Sequence, residues 1–211
     1  MEHLARSFAH LLFHQHPSQA SQGRPEPTNA KPSREDVLNY LGQLAHDYHL
    51  PQNVVYAVAD TESSVGPTIP PHPNYETRHG RVVHDKQGKP VVKSWDYGLM
   101  QVNGKKIGEK AKDPHGQSFT IGEDVKSNWN ANARAGVAIL ADAYRLAELE
   151  QGPGASEEDH AQQAYSQYNG GSGSGRHTPR DRYLKERRDG LPENKNDRRF
   201  LQTYQEHWKH K

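Results

Sequence analysis

Glu62 is the first residue that suggests acid-base chemistry, because it is an acidic residue among apolar neighbours. It follows Val55 by seven positions and Val58 by four, so on a helix it continues their buried stripe. Burial disfavours the charged form of a carboxyl group, and the C-terminal end of a helix opposes negative charge further. Both effects raise the pKa, so Glu62 can donate a proton near neutral pH. A leaving glycosidic oxygen requires such a donor.

A second acidic residue, Asp96, precedes Tyr97-Gly98 in the segment SWDYGLMQVN at residues 94–103. If its carboxylate faces Glu62 at about 5 to 6 Å, it can act as a nucleophile or stabilise an oxocarbenium ion, which would make the protein a retaining hydrolase. If Asp96 instead caps the turn, the 6-hydroxyl of the sugar must attack C1, and an anhydro product forms. The sequence leaves both interpretations open.

The composition indicates one folded domain with tails. The 211 residues are 32% hydrophobic, with a mean hydropathy of -1.08, and include 14 prolines and 18 glycines, so loops and hairpins should be frequent. The net charge of +1 gives no electrostatic footprint for nucleic acid, and no apolar run is long enough to span a membrane. The absence of cysteine excludes disulfides and thiol nucleophiles.

No metal or other cofactor is predicted. The 14 histidines are scattered, and no His-Glu-x-x-His motif occurs among them. His207 and His210 have a spacing that suits a metal, but two residues near a chain end give only a weak signal. A metalloenzyme is therefore not expected.

The helix that carries Glu62 is one of two predicted near the start of the folded part. Ser33 and Asp36 form a capping-box pattern ahead of the first apolar stripe. Pro51 suits the first turn of the second helix, in which valine and alanine residues form a buried face. The Glu62 carboxyl is thus predicted at the C-terminal end of a buried helix.

The rest of the domain is predicted from turn signals and apolar periodicity. The proline-rich residues 66–94 exclude a long helix and contain a β-hairpin with strands at 81–83 and 91–93, and a polar stretch with little periodicity extends to about residue 124. Helices are predicted at 128–149, 156–169, 178–190 and 197–208, with a mobile glycine loop at 170–175. The last helix should bury Phe200, Leu201, Tyr204 and Trp208.

Residues 1–31 are interpreted as a flexible N-terminal tail or as a docking segment for a carrier, and residues 32–211 as the folded domain. The apolar residues near the N-terminus are interrupted by His10, and Glu2 stands where a signal peptide carries positive charge. No secretory signal is therefore expected, and a protein acting outside the cytoplasm would need another route.

Four spaced motifs give the chain a family resemblance. In order along the chain they are Glu62-Ser63, Gly98-Leu99-Met100-Gln101, Asn132-x-x-x-Gly136 and Tyr168-Asn169-Gly170-Gly171. Over roughly residues 35–175 they resemble the motifs of soluble lytic transglycosylases (SLT type) of the lysozyme-like superfamily. The segment that begins at Asp96 is also similar to animal-type lysozymes and to the specialised transglycosylases of secretion machines.

The resemblance implies a role for each matched residue. Glu62 would be the general acid and later the base, and Asp96 is the candidate for a second catalytic carboxylate. Three residues would contact the sugar: Ser63 would orient it, the Gln101 amide would bind it, and Met100 would form an apolar wall of the cleft. The Tyr168 hydroxyl would hold the catalytic carboxyl group, and Asn169 would lie on the same rim. Plainer interpretations also remain, with Met100 as core, Tyr168 as a helix-packing residue and Asn169 as a helix cap.

The implied fold is mainly α and lysozyme-like, with a small β-hairpin beside the cleft. The implied substrate is peptidoglycan, cleaved at the β-1,4 bond between N-acetylmuramic acid and N-acetylglucosamine, and the Leu-Met-Gln motif favours the 1,6-anhydro product. The alternatives are a retaining muramidase that uses Asp96 and a non-catalytic cell-wall binding or structural module. We expect action in the periplasm or cell wall, delivery by a secretion apparatus or phage particle, and an immunity or inhibitor protein as a partner.

Overall fold

The computed structural model describes residues 31–170 and 195–209. Its helices are α1 (Arg34–Asp47), α2 (Gln52–Ser63), α3 (Trp129–Gln151), α4 (Glu157–Gly170) and α5 (Lys195–Thr203), and α5 continues as a π-helical turn over Tyr204–Trp208. Its strands are β1 (His72–Tyr75), β2 (Thr77–Arg78), β3 (Arg81–Val82), β4 (Val92–Tyr97), β5 (Val102–Asn103), β6 (Lys110–Lys112) and β7 (Ser118–Thr120). The predicted tail up to residue 30, the glycine loop from residue 171 and the helix at 178–190 lie outside the described residues.

The predicted capping box starts α1. The Ser33 hydroxyl accepts a hydrogen bond from the backbone N–H of Asp36 at 3.1 Å, and Asp36 Oδ2 accepts one from the Ser33 N–H at 2.9 Å. Helix α2 follows Pro51 and ends at Ser63, with Ser64 as its C-cap at a φ of 53°, in the left-handed region. Glu62 is therefore the last residue but one of a helix with a buried apolar face, as predicted.

Helix α3 is the longest helix of the described residues and packs against α4. Asn128 caps α3, because its side-chain oxygen accepts hydrogen bonds from two backbone amides of the first turn. Gly152 ends the helix with a φ of 76°, a conformation that glycine adopts without steric cost. Ser156 caps α4 by accepting a hydrogen bond from the N–H of Asp159. Both helices thus occur where the sequence predicts them.

The core lies between these helices. The fully buried members that α1, α2, α3 and α4 contribute include Val37, Leu41, Val54, Val55, Val58, Val137, Leu140 and Ala164. The aliphatic residues recur at helical spacing, so each helix buries one stripe. Helix α2 contributes to this apolar layer, so its C-terminal end lies against the core.

A three-stranded antiparallel sheet, in the order β1-β4-β5, lies beside the helices. The predicted hairpin is only partly correct. Its turn is present, since the N–H of Asp85 donates to Lys89 O at 2.8 Å, and His84 and Pro90 form an isolated bridge. However, β4 pairs with β1 and β3 pairs with β2 instead of with each other. The Val91 N–H still donates to Val83 O at 2.9 Å, but the ladder ends there because Glu76 lies between the two segments, accepting from the Val83 N–H and donating to Val91 O, both at 2.8 Å.

The polar stretch that follows β5 contains a structure that periodicity did not reveal. Strands β6 and β7 pair over three residues, with Ala111 opposite Phe119. Ala111 is the buried side chain of β6, and its neighbours Lys110 and Lys112 are exposed. One buried alanine in a three-residue strand is too short a signal for a period-2 pattern.

The C-terminal helix packs against α2 and α4. Phe200, Tyr204 and Trp208 are buried as predicted, whereas Leu201 is only half-buried, because consecutive helical residues point about 100° apart. The indole Nε1 of Trp208 donates to Asp60 Oδ2 on α2 at 3.1 Å. Within the described residues, no helix is both long and apolar enough to cross a membrane.

Candidate active site

A cleft of about 700 Å³ lies between the three-stranded sheet and the helices α2, α4 and α5. Glu62 and Asp96 both line it. The helical side contributes Tyr165, Tyr168, Asn169, Asn196 and Arg199, and the sheet side contributes His72, Asn74, Tyr75, Lys93, Ser94 and Asn103. Both walls therefore carry polar and aromatic side chains, with Glu62 on the helical side and Asp96 on the sheet side.

The Glu62 carboxyl meets the conditions that the sequence predicts for a proton donor. Burial raises its pKa from 4.5 to about 7, and the negative charge of Asp96 acts in the same direction. The Tyr165 hydroxyl opposes this rise by donating to Glu62 Oε1 at 2.8 Å, and Arg199 opposes it through its positive charge. Near neutral pH, the carboxyl group is therefore protonated in a large fraction of molecules.

Asp96 is held rigidly on the central strand β4. Its Oδ2 accepts a hydrogen bond from Asn74 Nδ2 on β1 at 2.7 Å, and its Oδ1 accepts one from Asn103 Nδ2 on β5 at 2.7 Å. Neighbouring antiparallel strands bring these residues together, since Asp96 is paired directly with Asn103. Both hydrogen bonds come from side-chain amides, whereas a carboxylate that caps a turn accepts hydrogen bonds from backbone N–H groups. These two bonds therefore do not cap the turn.

The segment after Asp96 is fixed by Asn132 of α3, which is fully buried. Its Oδ1 accepts from the Met100 N–H at 2.8 Å, and its Nδ2 donates to Tyr97 O and to Val125 O at 2.6 and 3.0 Å. Gly98 has a φ of 68°, and a Cβ there would lie 2.7 Å from the Asn132 side chain. This position therefore requires glycine for both its conformation and its packing.

Met100 and Tyr168 meet at the surface of α3. A Cβ on Gly136 would lie 2.7 Å from Met100 Cγ and 3.1 Å from the Tyr168 hydroxyl, so glycine allows the close approach of all three. Met100 is fully buried and does not line the cleft, so its predicted role as a cleft wall is wrong, and the interpretation as core is confirmed. The Tyr168 hydroxyl donates to Met100 O.

Three of the four motifs thus contact one another directly, and Glu62 of the remaining motif lines the same cleft as Gln101 and Tyr168. Residues 39–189, well over half of the chain, match the family described as Transglycosylase SLT domain. The chain belongs to this family. No curated protein matches the chain. The fold is accordingly a mainly α, lysozyme-like SLT fold. The protein is a lytic transglycosylase that acts on peptidoglycan by cleaving glycosidic bonds.

Two predicted contacts in this SLT domain need correction. Tyr165, not Tyr168, donates to the Glu62 carboxyl. The two tyrosines are three residues apart on α4 and face the same way, but only the earlier hydroxyl reaches the end of α2. Ser63 is buried, and its hydroxyl donates to Ala59 O one turn earlier at 2.8 Å, so it does not face the substrate as predicted.

The remaining predicted residues line the cleft of the SLT domain. Gln101 has a φ of 46°, and its Nε2 donates to Gly98 O at 2.8 Å, which leaves its amide oxygen for other partners. Asn169 lies inside α4, one residue before its end, and its Oδ1 accepts from Asn196 Nδ2 at 3.2 Å. Their contacts with a sugar stay predictions.

The sequence did not predict a role for three residues of the site, Tyr165, Asn103 and Asn74. Tyr165 could have been considered, because it lies on the same predicted helix face as Tyr168. Asn103 is the last residue of the segment 94–103 that contains Asp96, but nothing in the sequence indicates that it binds the Asp96 carboxylate. Asn74 belongs to a strand that was not predicted, and its pairing depends on the sheet register.

Proposed function

We propose that this SLT transglycosylase cleaves the β-1,4 bond between N-acetylmuramic acid and N-acetylglucosamine and leaves a 1,6-anhydro ring. The Glu62 carboxylic acid donates its proton to the glycosidic oxygen while the C1–O bond breaks. The 6-hydroxyl of the same N-acetylmuramic acid then attacks C1, and its proton passes to the Glu62 carboxylate. The acid is regenerated, and no water is consumed.

The main support for this proposal is the environment of Glu62. One carboxyl group must first donate and then accept a proton, so a pKa near the working pH serves both steps. Burial brings the pKa of Glu62 to about 7, and Tyr165 fixes the orientation of its carboxyl group by a hydrogen bond to Oε1. The Tyr165 phenol itself has a pKa raised by burial, so it stays a donor throughout.

Asp96 fits an electrostatic role in this reaction. Each of its carboxylate oxygens already accepts a hydrogen bond from an asparagine amide, which holds the group in place and reduces its freedom to form a bond to C1. A fixed negative charge across the cleft stabilises the positive charge that develops on the sugar in the transition state. The mechanism therefore needs Asp96 as a stabiliser and not as a nucleophile.

Mass spectrometry of digested sacculi tests the product. The proposed reaction releases muropeptides that lack one water relative to the products of hydrolysis. Reducing ends that carry the full water would instead identify a retaining muramidase with Asp96 as its nucleophile. Asp96→Asn separates the two further, since we expect activity about tenfold to a hundredfold lower for a stabiliser and near-complete loss for a nucleophile.

A non-catalytic cell-wall module is the candidate of another class. Glu62→Gln keeps the size of the side chain and an acceptor for Tyr165 but cannot donate the catalytic proton. We expect lytic activity to fall by at least about a thousandfold, with binding to sacculi retained. Equal activity in the wild type and the variant, or none in either, would support the non-catalytic role.

We also propose that the enzyme acts in the periplasm or cell wall, as a cell-wall-degrading effector or entry enzyme. The support is the location of peptidoglycan outside the cytoplasm, together with the likeness of the segment at Asp96 to transglycosylases of secretion machines. Expression in a Gram-negative host tests the site of action. The chain should lyse cells when a secretion leader exports it and spare them when it is retained, and lysis without export would contradict the proposal.

A further inference from the structure

The sheet wall of the cleft departs from regular strand geometry at the end remote from Asp96. Asn74 of β1 pairs with Ser94 of β4, but the next residue, Tyr75, pairs with Val92. Lys93 is therefore an extra residue on β4, which makes this a β-bulge. A bulge changes the face to which the neighbouring side chains point.

The residues that line the cleft reflect this change. Consecutive side chains of a regular strand point to opposite faces. Here Asn74 and the following Tyr75 both line the cleft, and so do Lys93 and the following Ser94. Trp95, the next residue of β4, does not line it. The bulge thus places Lys93 beside Ser94 at the cleft, and Tyr75, at the end of the neighbouring strand β1, lines the same cleft.

The two side chains have complementary binding properties. Tyr75 is 43% exposed, so its ring is accessible to a ligand in the cleft, and its flat face suits the apolar face of a sugar ring. Lys93 is exposed, and no ion pair of its own is found within the described part of the chain. Lys106, farther along the wall, is by contrast paired with Glu109 at 2.9 Å. Lys93 is available for a carboxylate of the ligand.

We propose that Tyr75 and Lys93 form a distal subsite that binds a peptide-bearing sugar, with Tyr75 stacked on the ring and Lys93 paired with a carboxylate of the attached peptide. This inference rests on the proposed function, because it assumes a glycan in the cleft. Lys93 lies three residues from Asp96 on β4, or about 10 Å along the strand. The subsite therefore contributes to substrate binding and not to bond cleavage.

Binding by the inactive Glu62→Gln protein tests the subsite without turnover. The ligands are peptide-bearing glycan strands and the same strands stripped of peptide by an amidase. Tyr75→Ala should weaken binding to both by about tenfold. Lys93→Gln should weaken binding to the peptide-bearing strands alone, by about threefold, and added salt should remove the difference.

Two matched controls lie close by in the chain. Trp95→Ala removes a ring of β4 that is 40% exposed but does not line the cleft, and Lys89→Gln removes an exposed lysine of the turn before β4. Both should bind like the parent protein. In the active enzyme, Tyr75→Ala should raise KM and leave kcat within about twofold.

The outcomes separate this inference from the proposed function. If Tyr75→Ala binds as well as Trp95→Ala, or if Lys93→Gln loses the same affinity for both kinds of strand, the subsite is refuted while anhydro products still support the reaction. If the wild type releases hydrated products instead of anhydro products, the proposed reaction fails while the binding measurements still decide the subsite, and if the Glu62→Gln protein binds neither kind of strand, both fail.

Discussion

The Glu62 carboxyl group ends the apolar stripe of α2 and accepts a hydrogen bond from Tyr165. These surroundings favour the neutral acid over the anion, and the anion is nevertheless needed in the second half of the proposed reaction. A group held in this balance can exchange a proton in both directions at neutral pH. The same balance makes the folded state less stable whenever Glu62 is ionised.

We predict that Glu62→Gln stabilises the fold in a pH-dependent way. The pKa of Glu62 is raised from 4.5 to about 7, so its native state binds more protons than its unfolded state between these values. Wild-type stability therefore falls as pH rises through this window, by about 3 kcal/mol in total. The variant has no such group, so it should be more stable than the wild type by about that amount at pH 8 and by almost nothing at pH 4.

Urea unfolding at a series of pH values measures this difference. Glu35→Gln, a change at an exposed position of α1, provides a comparison in which no gain at pH 8 is expected. A stability difference between Glu62→Gln and the wild type that is independent of pH would refute the prediction.

The two tyrosines of α4 allow a second prediction at single-residue scale. The pH dependence of kcat/KM should show activity falling as pH rises through about 7, because the free enzyme must carry the Glu62 proton. Tyr165→Phe removes a donor that stabilises the anion, so this fall should move to higher pH by about one unit. Tyr168→Phe should leave its position unchanged and cost about 1 kcal/mol of stability, because the Tyr168 hydroxyl donates to Met100 O instead.

Rate profiles of the three proteins on soluble muropeptide substrates decide the matter. A shift in Tyr168→Phe that equals the shift in Tyr165→Phe would mean that both hydroxyls support the carboxyl group, as the sequence motif alone suggested.

At the scale of elements, one buried side chain joins α3 to the loop beneath the cleft. Asn132 makes hydrogen bonds to three backbone groups of residues 97–125. Asn132→Ala leaves all three buried groups without their partner, and we expect a loss of about 3 kcal/mol or more. Activity per folded molecule should fall as well, because the chain that leads from Asp96 to Gln101 loses its anchor.

Asn132→Asp provides the matched variant for this prediction. It keeps the acceptor for the Met100 N–H but cannot donate to Tyr97 O or Val125 O, and it buries a charge. We expect it to be at least as unstable as the alanine variant in chemical denaturation. A cost below about 1 kcal/mol for both variants would show that water replaces the lost hydrogen bonds.

These elements also show what a sequence can and cannot predict. The caps at Ser33 and Asn128 and the apolar stripes are local patterns, so α1, α2 and α3 follow from them. The role of Asn132 depends on its contact with Met100, 32 residues away, so its motif was recognised but its function was not explained. The choice between Tyr165 and Tyr168 depends on how α4 is rotated against α2, and no local pattern fixes that rotation.

The sheet was the least predictable element for a related reason. Its strands are short, and their partners are set by register instead of by sequence neighbourhood. The bulge at Lys93 shifts that register by one residue, so that Lys93 lies beside Ser94 at the cleft that Tyr75 also lines. The residues could be read from the sequence, but their shared face could not.

At the scale of the whole molecule, the C-terminal helix closes the back of the active site. The Phe200 ring of α5 stacks on Tyr165, with ring centroids 4.4 Å apart and planes inclined by 9°. Ser166 Oγ donates to the buried Asp197 at 3.2 Å, and Trp208 binds Asp60 on α2. The last helix thus braces both helices whose side chains form the pair of Glu62 and Tyr165.

We predict that Phe200→Ala affects stability and acid strength together. The loss of a fully buried ring should cost about 3 to 5 kcal/mol. Water that enters the vacated space would reduce the desolvation of Glu62, which is the largest cause of its raised pKa, so the fall in kcat/KM should begin at lower pH than in the wild type. Phe200→Leu fills most of the space and should show both effects in weaker form. Leu201→Ala, at a half-buried position of the same helix, should cost less and leave the pH profile unchanged. If Phe200→Leu is stable enough to assay and its profile matches that of Leu201→Ala, then α5 stabilises the fold without tuning the acid.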